Sequence, residues 1–208
     1  MSCECGGGLT RLGIQLFDRI FDNVWLRKTY HLIGGGVLTA TIPLLGNDAF
    51  SLLCVFGLAL FGMAARRIST VLLGLLILNV LSNSTLTTFG AAIVFVVGDG
   101  VAALAGTAFG TTKLPWNDAK SVVGSASFLA GSSVALLGAL YTSMPLGMVQ
   151  LALLAILPSL AGCLAEALPF ALVRDIRDGK PDDNLAVVLS SGAVLHLLIG
   201  SFRIGTTS

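Results

Sequence analysis

Charged residues are scarce in this sequence: they fill 11% of its 208 positions, where soluble domains carry about a quarter. A chain this poor in charge cannot cover itself with a hydrated surface, and a mean hydropathy of +0.91 excludes an ordinary water-soluble fold. No sign of charge dominates either. The 12 Lys and Arg nearly cancel the 11 Asp and Glu, which leaves no basic excess to hold nucleic acid and no acidic run to keep a disordered chain in solution. Cysteines are few. Cys3, Cys5, Cys54 and Cys163 make no disulfide framework, two of them lie within apolar runs, and all four are read as reduced thiols. Cys3-x-Cys5 could hold a soft metal, but two thiolates without further ligands are a weak signal. No Walker lysine loop, HExxH pair, nucleophile elbow or internal repeat occurs.

What the chain does have is apolar length. A membrane-spanning helix takes about 20 apolar residues, and charge-poor stretches fall at 29–45, 49–65, 68–81, 85–108, 121–141, 146–173 and 185–202. They predict an all-α integral membrane protein, a bundle of about seven transmembrane helices. Gly34, Gly35, Gly36, Gly131 and Gly138 are expected to let these helices approach closely. Ahead of the first span, Leu9, Leu12, Leu16, Ile20 and Val24 recur at helical spacing opposite Arg11, Gln15, Asp18, Arg19 and Asp22. That pattern predicts an amphipathic helix in the membrane interface, with none of the features of a cleaved signal. The expected division is a tail and interfacial helix over 1–26 and a transmembrane domain over 27–208.

The connections orient the bundle. Of the 12 Lys and Arg, all but Arg203 fall before the first span or in alternate connections, whereas Asn47-Asp48, Ser82-Asn83-Ser84 and Thr142-Ser143-Met144-Pro145 carry none. Positive residues stay cytoplasmic, so the N-terminus is expected inside and the C-terminus on the opposite side. Asn83-Ser84-Thr85 is a glycosylation sequon on the outer face, too near the membrane to be used.

The chemistry-bearing residues are polar groups placed where lipid should not tolerate them. Asp99 sits in an apolar run, and an acid there costs about 2.5 to 3.5 kcal/mol on insertion scales, which makes it a functional candidate. The flanking Gly98 and Gly100 would let the backbone distort and a charged ligand come close. Downstream, 106–121 concentrates glycines, hydroxyls, Lys113 and Lys120. Ser121 is expected to cap the next helix, whose free N–H groups suit phosphate oxygens. Glu166 lies near the cytoplasmic end of the sixth span, before Pro169. Asp182 and Asp183 open the last span, as caps or as Mg2+ ligands facing Asp99. Arg27, Lys28 and His31 lie on the same side, where the cations would snorkel or neutralise phosphates. His196, within the last span, is expected to hydrogen-bond a neighbouring helix.

These residues together resemble a known family. Arg27-Lys28-x-x-His31, Gly98-Asp99-Gly100 with Gly106 and Gly110, Lys113-Leu114-Pro115-Trp116-Asn117-x-x-Lys120-Ser121-x-x-Gly124-Ser125, Glu166-Ala167-Leu168-Pro169 and Asp182-Asp183-Asn184-Leu185 are similar, in order, to the CTP-dependent lipid-alcohol kinases. That family includes phytol, farnesol and dolichol kinases and the yeast-type diacylglycerol kinase. The stretch from Lys113 to Ser125 is most like the phytol kinase branch, with Trp116 where that branch often has Tyr and without an evident plastid transit peptide. The resemblance implies Mg2+-dependent transfer of the terminal phosphate of CTP to the hydroxyl of an isoprenoid lipid alcohol such as phytol, geranylgeraniol, farnesol or dolichol. It implies catalytic roles for Asp99 and Lys120. Nucleotide and phosphate contacts would come from Arg27, Lys28, His31, Gly98, Gly100, Gly106, Gly110, Lys113, Asn117, Ser121, Gly124 and Asn184. Asp99, Glu166, Asp182 and Asp183 would hold Mg2+.

Other classes stay open at this point. A distantly similar phosphatidate cytidylyltransferase would transfer CMP to a lipid phosphate, a diacylglycerol kinase would use another alcohol, and a transporter would use Asp99, Glu166 and His196 as an ion path. The preference for CTP rests on the resemblance, and the oligomeric state is open. An endoplasmic reticulum or bacterial-type plasma membrane suits the cytoplasmic site.

Overall fold

A computed structural model describes residues 24–61, 66–169, 173–174 and 181–204. The expected interfacial helix and the Cys3-x-Cys5 pair fall almost wholly on residues 1–23, outside the described residues. The helices are α1 (Val24–Phe61), α2 (Arg66–Ser82), α3 (Thr85–Phe109), α4 (Val122–Ser143), α5 (Met148–Ala167) and α6 (Asn184–Ile204). Two short antiparallel pairs join them: β1 (Lys113–Leu114) with β2 (Asn117–Ser121), and β3 (Val173–Arg174) with β4 (Pro181–Asp182). Five of these helices are long and apolar enough to cross a membrane, and the apolar part of α2 is shorter. Among the described residues the chain is therefore the helical bundle expected, with six helices, five of them long and apolar enough to span a membrane.

The first two expected spans form the single element α1, broken at Gly46, where φ is 70° and ψ is 177°. Glycine takes this conformation without the strain a Cβ would bring. Contacts on its two sides run in opposite directions. Before it, Lys28 meets Asp99 of α3, Gly35 packs on Val96 of α3, and Pro43 lines one cavity with Phe89 of α3. After it, Asn47 and Ser51 bond Asn79 near the end of α2, and Gly57 packs on Leu72 nearer its start. The chain thus turns back on itself at Gly46.

The fifth helix is shorter than the expected stretch 146–173. It stops at Ala167, with Leu168 extended at φ −75° and ψ 143°, because Pro169 crowds the α-region for the residue before it. The chain after it forms β3 instead.

Helix α3 is central and packs against each of the other five helices. Its small residues permit this. A Cβ at Gly98 would lie 2.6 Å from the Phe128 ring of α4, one at Gly100 would strike Leu32 of α1, and one at Gly90 would strike Leu195 of α6. Gly35 and Gly131 serve the expected close packing, against Val96 and Val101, while Gly34, Gly36 and Gly138 face open space. On α1, Leu26, Tyr30, Ile33, Val37 and Leu44 are exposed at helical spacing, a stripe suited to lipid.

The end of the bundle away from Lys28 is closed by amides and hydroxyls. Buried Asn79 donates to the Asn47 carbonyl at 2.7 Å and to Ser51 Oγ at 2.9 Å. Asn47 in turn donates to Asn83 Oδ1 at 3.0 Å and accepts from Thr85 Oγ1 at 2.7 Å. Asn83 has a positive φ of 44°, and Ser84 caps α3 by accepting from Thr87 N–H at 3.3 Å. The sequon is therefore a tied turn. His196 Nδ1 lies 3.4 Å from Thr87 Oγ1, the interhelical partner expected of it.

Candidate active site

Two clusters of ionisable side chains form at the opposite end. In the first, Lys28 Nζ of α1 donates to Asp99 Oδ2 at 2.5 Å, and His31 Nε2 is 3.4 Å from the same oxygen. Lys28 and His31 lie three positions apart on one helix face, and α3 presents Asp99 between them. The His31 ring stands edge-on to Phe95, with centroids 5.2 Å apart. Its Nε2 is buried and, although this close to Asp99, makes no hydrogen bond.

In the second cluster, Lys120 Nζ donates to Glu166 Oε1 at 2.5 Å and to Asp183 Oδ2 at 2.6 Å. Three separate segments supply these groups: β2, the last turn of α5, and the residue ahead of α6. Burial works to lower the Lys120 pKa, but the charges of Asp183 and Glu166 outweigh it and hold the amine above the ordinary lysine value. Glu166 is almost fully buried, and its second oxygen, Oε2, has no hydrogen-bond partner. The clusters are within electrostatic reach of each other, for the charge of Lys120 acts on Asp99 and that of Asp99 on Glu166.

A hairpin positions Lys120. Strands β1 and β2 pair Lys113 with Ser121 and Leu114 with Asn117. Trp116 Nε1 and Asn117 Nδ2 both donate to the Ala167 carbonyl, at 3.2 and 3.1 Å, which satisfies a carbonyl left free at the end of α5. This tie brings Lys120 onto Glu166. It also gives Asn117 a structural task, with its Oδ1 accepting from Ala119 N–H at 3.2 Å.

Several other expected site residues have close partners within the chain. Ser121 caps α4, accepting from Gly124 N–H at 3.1 Å, and Val122 N–H donates to the Thr112 carbonyl at 3.0 Å. Part of the helix N-terminus expected for phosphate is thus satisfied by the chain itself. Gly106 and Gly124 pack face to face around Ser121 Oγ, and Gly110 caps α3. The helix continues unbroken through Gly98 and Gly100, where Phe128 and Leu32, rather than open space, come close. Lys113 is exposed at the edge of the hairpin. Asn184 begins α6, while the side chains of Arg27 and Asp182 lie outside the described residues.

Ser125 escaped selection as a site residue. Its Oγ is buried without a partner in the first turns of α4, and its carbonyl accepts from Cys163 Sγ at 3.3 Å. The signal available was its place beside Gly124 in the motif. Among the described residues, no three His, Cys, Asp or Glu side chains form a ready-made metal site.

Comparison with known proteins bears on these clusters. The chain is 37% identical over 102 residues to a probable phytol kinase 1, chloroplastic, of Glycine max, covering 47% of this chain and 32% of that protein. It is 34% identical over 105 residues to the farnesol kinase, chloroplastic, of Arabidopsis thaliana, covering 49% and 32%. It is 36% identical over 113 residues to a probable phytol kinase, chloroplastic, of Triticum aestivum, covering 50% and 34%. The matches span about a third of the length of these relatives. No protein-family model matches the chain, and no solved structure does. Over about half of its length, this chain is similar to phytol and farnesol kinases, the branch of the lipid-alcohol kinases that its motifs resemble.

Proposed function

We propose that this protein is a lipid-alcohol kinase, transferring the terminal phosphate of CTP, with Mg2+, to the hydroxyl of an isoprenoid alcohol at the cytoplasmic face of the membrane. The observation that carries this reading is the convergence of two lysines and three carboxylates, Lys28 with Asp99 and Lys120 with Glu166 and Asp183, at one end of an apolar bundle. Phosphoryl transfer needs cations for the phosphates and a carboxylate to position the attacking hydroxyl, and little else from the protein. The similarity to phytol and farnesol kinases supports the choice of acceptor.

Lys28 and Lys120 are assigned to the phosphates, and Asp99 to the alcohol hydroxyl or the metal. Mg2+ commonly binds through one or two carboxylates together with substrate phosphates. Glu166, with its unpartnered Oε2, and Asp183 fit that donor set, so a preformed cluster of three acids is not required. The ion would supply charge stabilisation to the transferring group. Asp182, Arg27 and Asn184 remain candidates for the same face. The lipid would reach Asp99 sideways between helices.

The turn at Gly46 supports a count of seven crossings, with the two arms of α1 as the first two. The confinement of nearly all Lys and Arg to one side supports a cytoplasmic N-terminus and an outer C-terminus. An endoplasmic reticulum or bacterial-type plasma membrane is the setting assigned to that orientation. The transporter reading is less favoured, because His196 lies at Thr87, about 18 Å of helix rise from Asp99 at 1.5 Å per residue and apart from the two clusters.

The test uses purified protein in nanodiscs with Mg2+ and terminally labelled CTP or ATP, offered phytol, geranylgeraniol, farnesol, a long polyprenol and diacylglycerol. Label in an isoprenoid alcohol with CTP is the expected result. Label only in diacylglycerol, or, with phosphatidate added and products read by mass, CMP joined to that lipid phosphate with release of labelled pyrophosphate, would replace this reading with one of its two relatives.

A further inference from the structure

Glu166 and Asp183 come from different helix ends, yet they aim one oxygen each at a single point, the Lys120 ammonium, at 2.5 and 2.6 Å. Two carboxylates that close in a medium of low dielectric cannot both stay ionised without a cation between them. Glu166 is the most constrained of the three, with a side chain only 7% exposed and an Oε2 that no donor reaches. A carboxylate buried to this degree and left half-satisfied is incomplete for its surroundings. The lysine contributes a point charge on a flexible stem, and β2 holds that stem at the rim of the site. Asp99 is already neutralised by Lys28 and makes no demand on Lys120 as a hydrogen-bond donor.

We propose that Lys120 is an internal stand-in for the divalent cation: its ammonium fills the seat between Glu166 and Asp183, so that the seat accepts a metal only when nucleotide phosphates draw the ammonium away. This rests on the reading of this end of the bundle as a nucleotide and metal site. The arrangement keeps the carboxylates ionised and correctly spaced in the empty protein. It also couples the two ligands, because a phosphate that engages Lys120 uncovers the acids, and by linkage a metal on the acids frees Lys120 for phosphate. Metal alone should meet a seat already filled by positive charge.

The experiment measures binding of Mn2+ alone, by loss of its free electron paramagnetic resonance signal, to wild type, K120M, K120Q and K120R in nanodiscs. Wild type and K120R are expected to bind weakly. K120M and K120Q are expected to bind at least tenfold more tightly, and the gain should vanish in K120M/E166Q/D183N. Thermal melting provides a second readout: Mn2+ should raise the Tm of the neutral variants and leave wild type unchanged, while Mn2+ with CTP raises wild type. If neither neutral variant is recovered folded, the wild-type melts decide. The proposal is overturned if wild type binds Mn2+ alone as tightly as K120M, if wild-type Tm rises with Mn2+ alone, or if the gain survives loss of both acids. Failure to phosphorylate any lipid, with this Mn2+ pattern intact, would sink the kinase reading and leave the stand-in role in place.

Discussion

Lys28 and Asp99 are 71 positions apart in the chain and 2.5 Å apart in the fold, a part-buried pair that pins the start of α1 to the central helix. Removing one member of such a pair leaves the other charge uncompensated, which costs about 3 to 5 kcal/mol. K28M should therefore lower the melting temperature markedly, and K28M/D99N should recover much of the loss. Equal melting of K28M and wild type in nanodiscs would mean that the pair does not hold α1 in place.

Asp99→Asn preserves shape and removes the charge. Transfer of label to lipid should fall by at least about 100-fold, the scale on which positioned acid–base groups contribute, when measured well below the lowered melting temperature, where helical circular dichroism is retained. Full activity in that variant would take Asp99 out of the reaction.

Gly98 is expected to tolerate no side chain, for a Cβ would sit 2.6 Å from the Phe128 ring. Overpacking of this kind costs about 1 to 3 kcal/mol. G98A should melt at a lower temperature, and G98A/F128L should melt closer to wild type. A G98A protein as stable as wild type but weakened in nucleotide binding would restore the role of Gly98 as room for a ligand.

Lys113 and Lys120 should differ towards amine-reactive reagents. Lys113 is exposed, whereas Lys120 is held by two carboxylates. The Lys120 pKa is raised in the folded protein, so its contribution to stability is full below the ordinary lysine value of 10.5 and is lost only as pH rises through the higher folded value. At pH 9, acetylation followed by peptide mass spectrometry should modify Lys113 at least tenfold faster than Lys120. Equal rates would contradict the double bridge.

Single cysteines introduced at Asn47 and at Lys113 should react with a membrane-impermeant reagent from opposite sides of sealed vesicles. Reaction from the same side would remove the proposed orientation and, with it, the support that the turn at Gly46 gives to seven crossings.

The apolar runs made the class of fold legible, and Ser121 as a cap and His196 as an interhelical partner were legible from local chemistry alone. Helix boundaries were less so. The sixth run stayed apolar through Val173 although Leu168 had to leave the helix ahead of Pro169, a steric effect that hydropathy does not register. Asp99, Lys120, Glu166 and Asp183 stood out because charge is rare here, but their partners did not. Nothing local joins Lys28 to Asp99 or Lys120 to both acids; those pairings follow from which helices surround α3. Gly98, Gly106 and Gly124 were ambiguous for the same reason, since a glycine that admits a ligand and one that admits a neighbouring helix look alike in sequence.

In both clusters the cation is made before the acid: Lys28 precedes Asp99, and Lys120 precedes Glu166 and Asp183. Helices inserted in chain order would therefore bring Asp99 of α3 to a counter-charge already carried by α1, and Glu166 to a hairpin already carrying Lys120. No acid of the site would then wait unpaired in hydrocarbon for a lysine not yet made. A permuted chain that began at α3 would reverse this order for Asp99, exposing the insertion machinery to the full cost of a lone carboxylate.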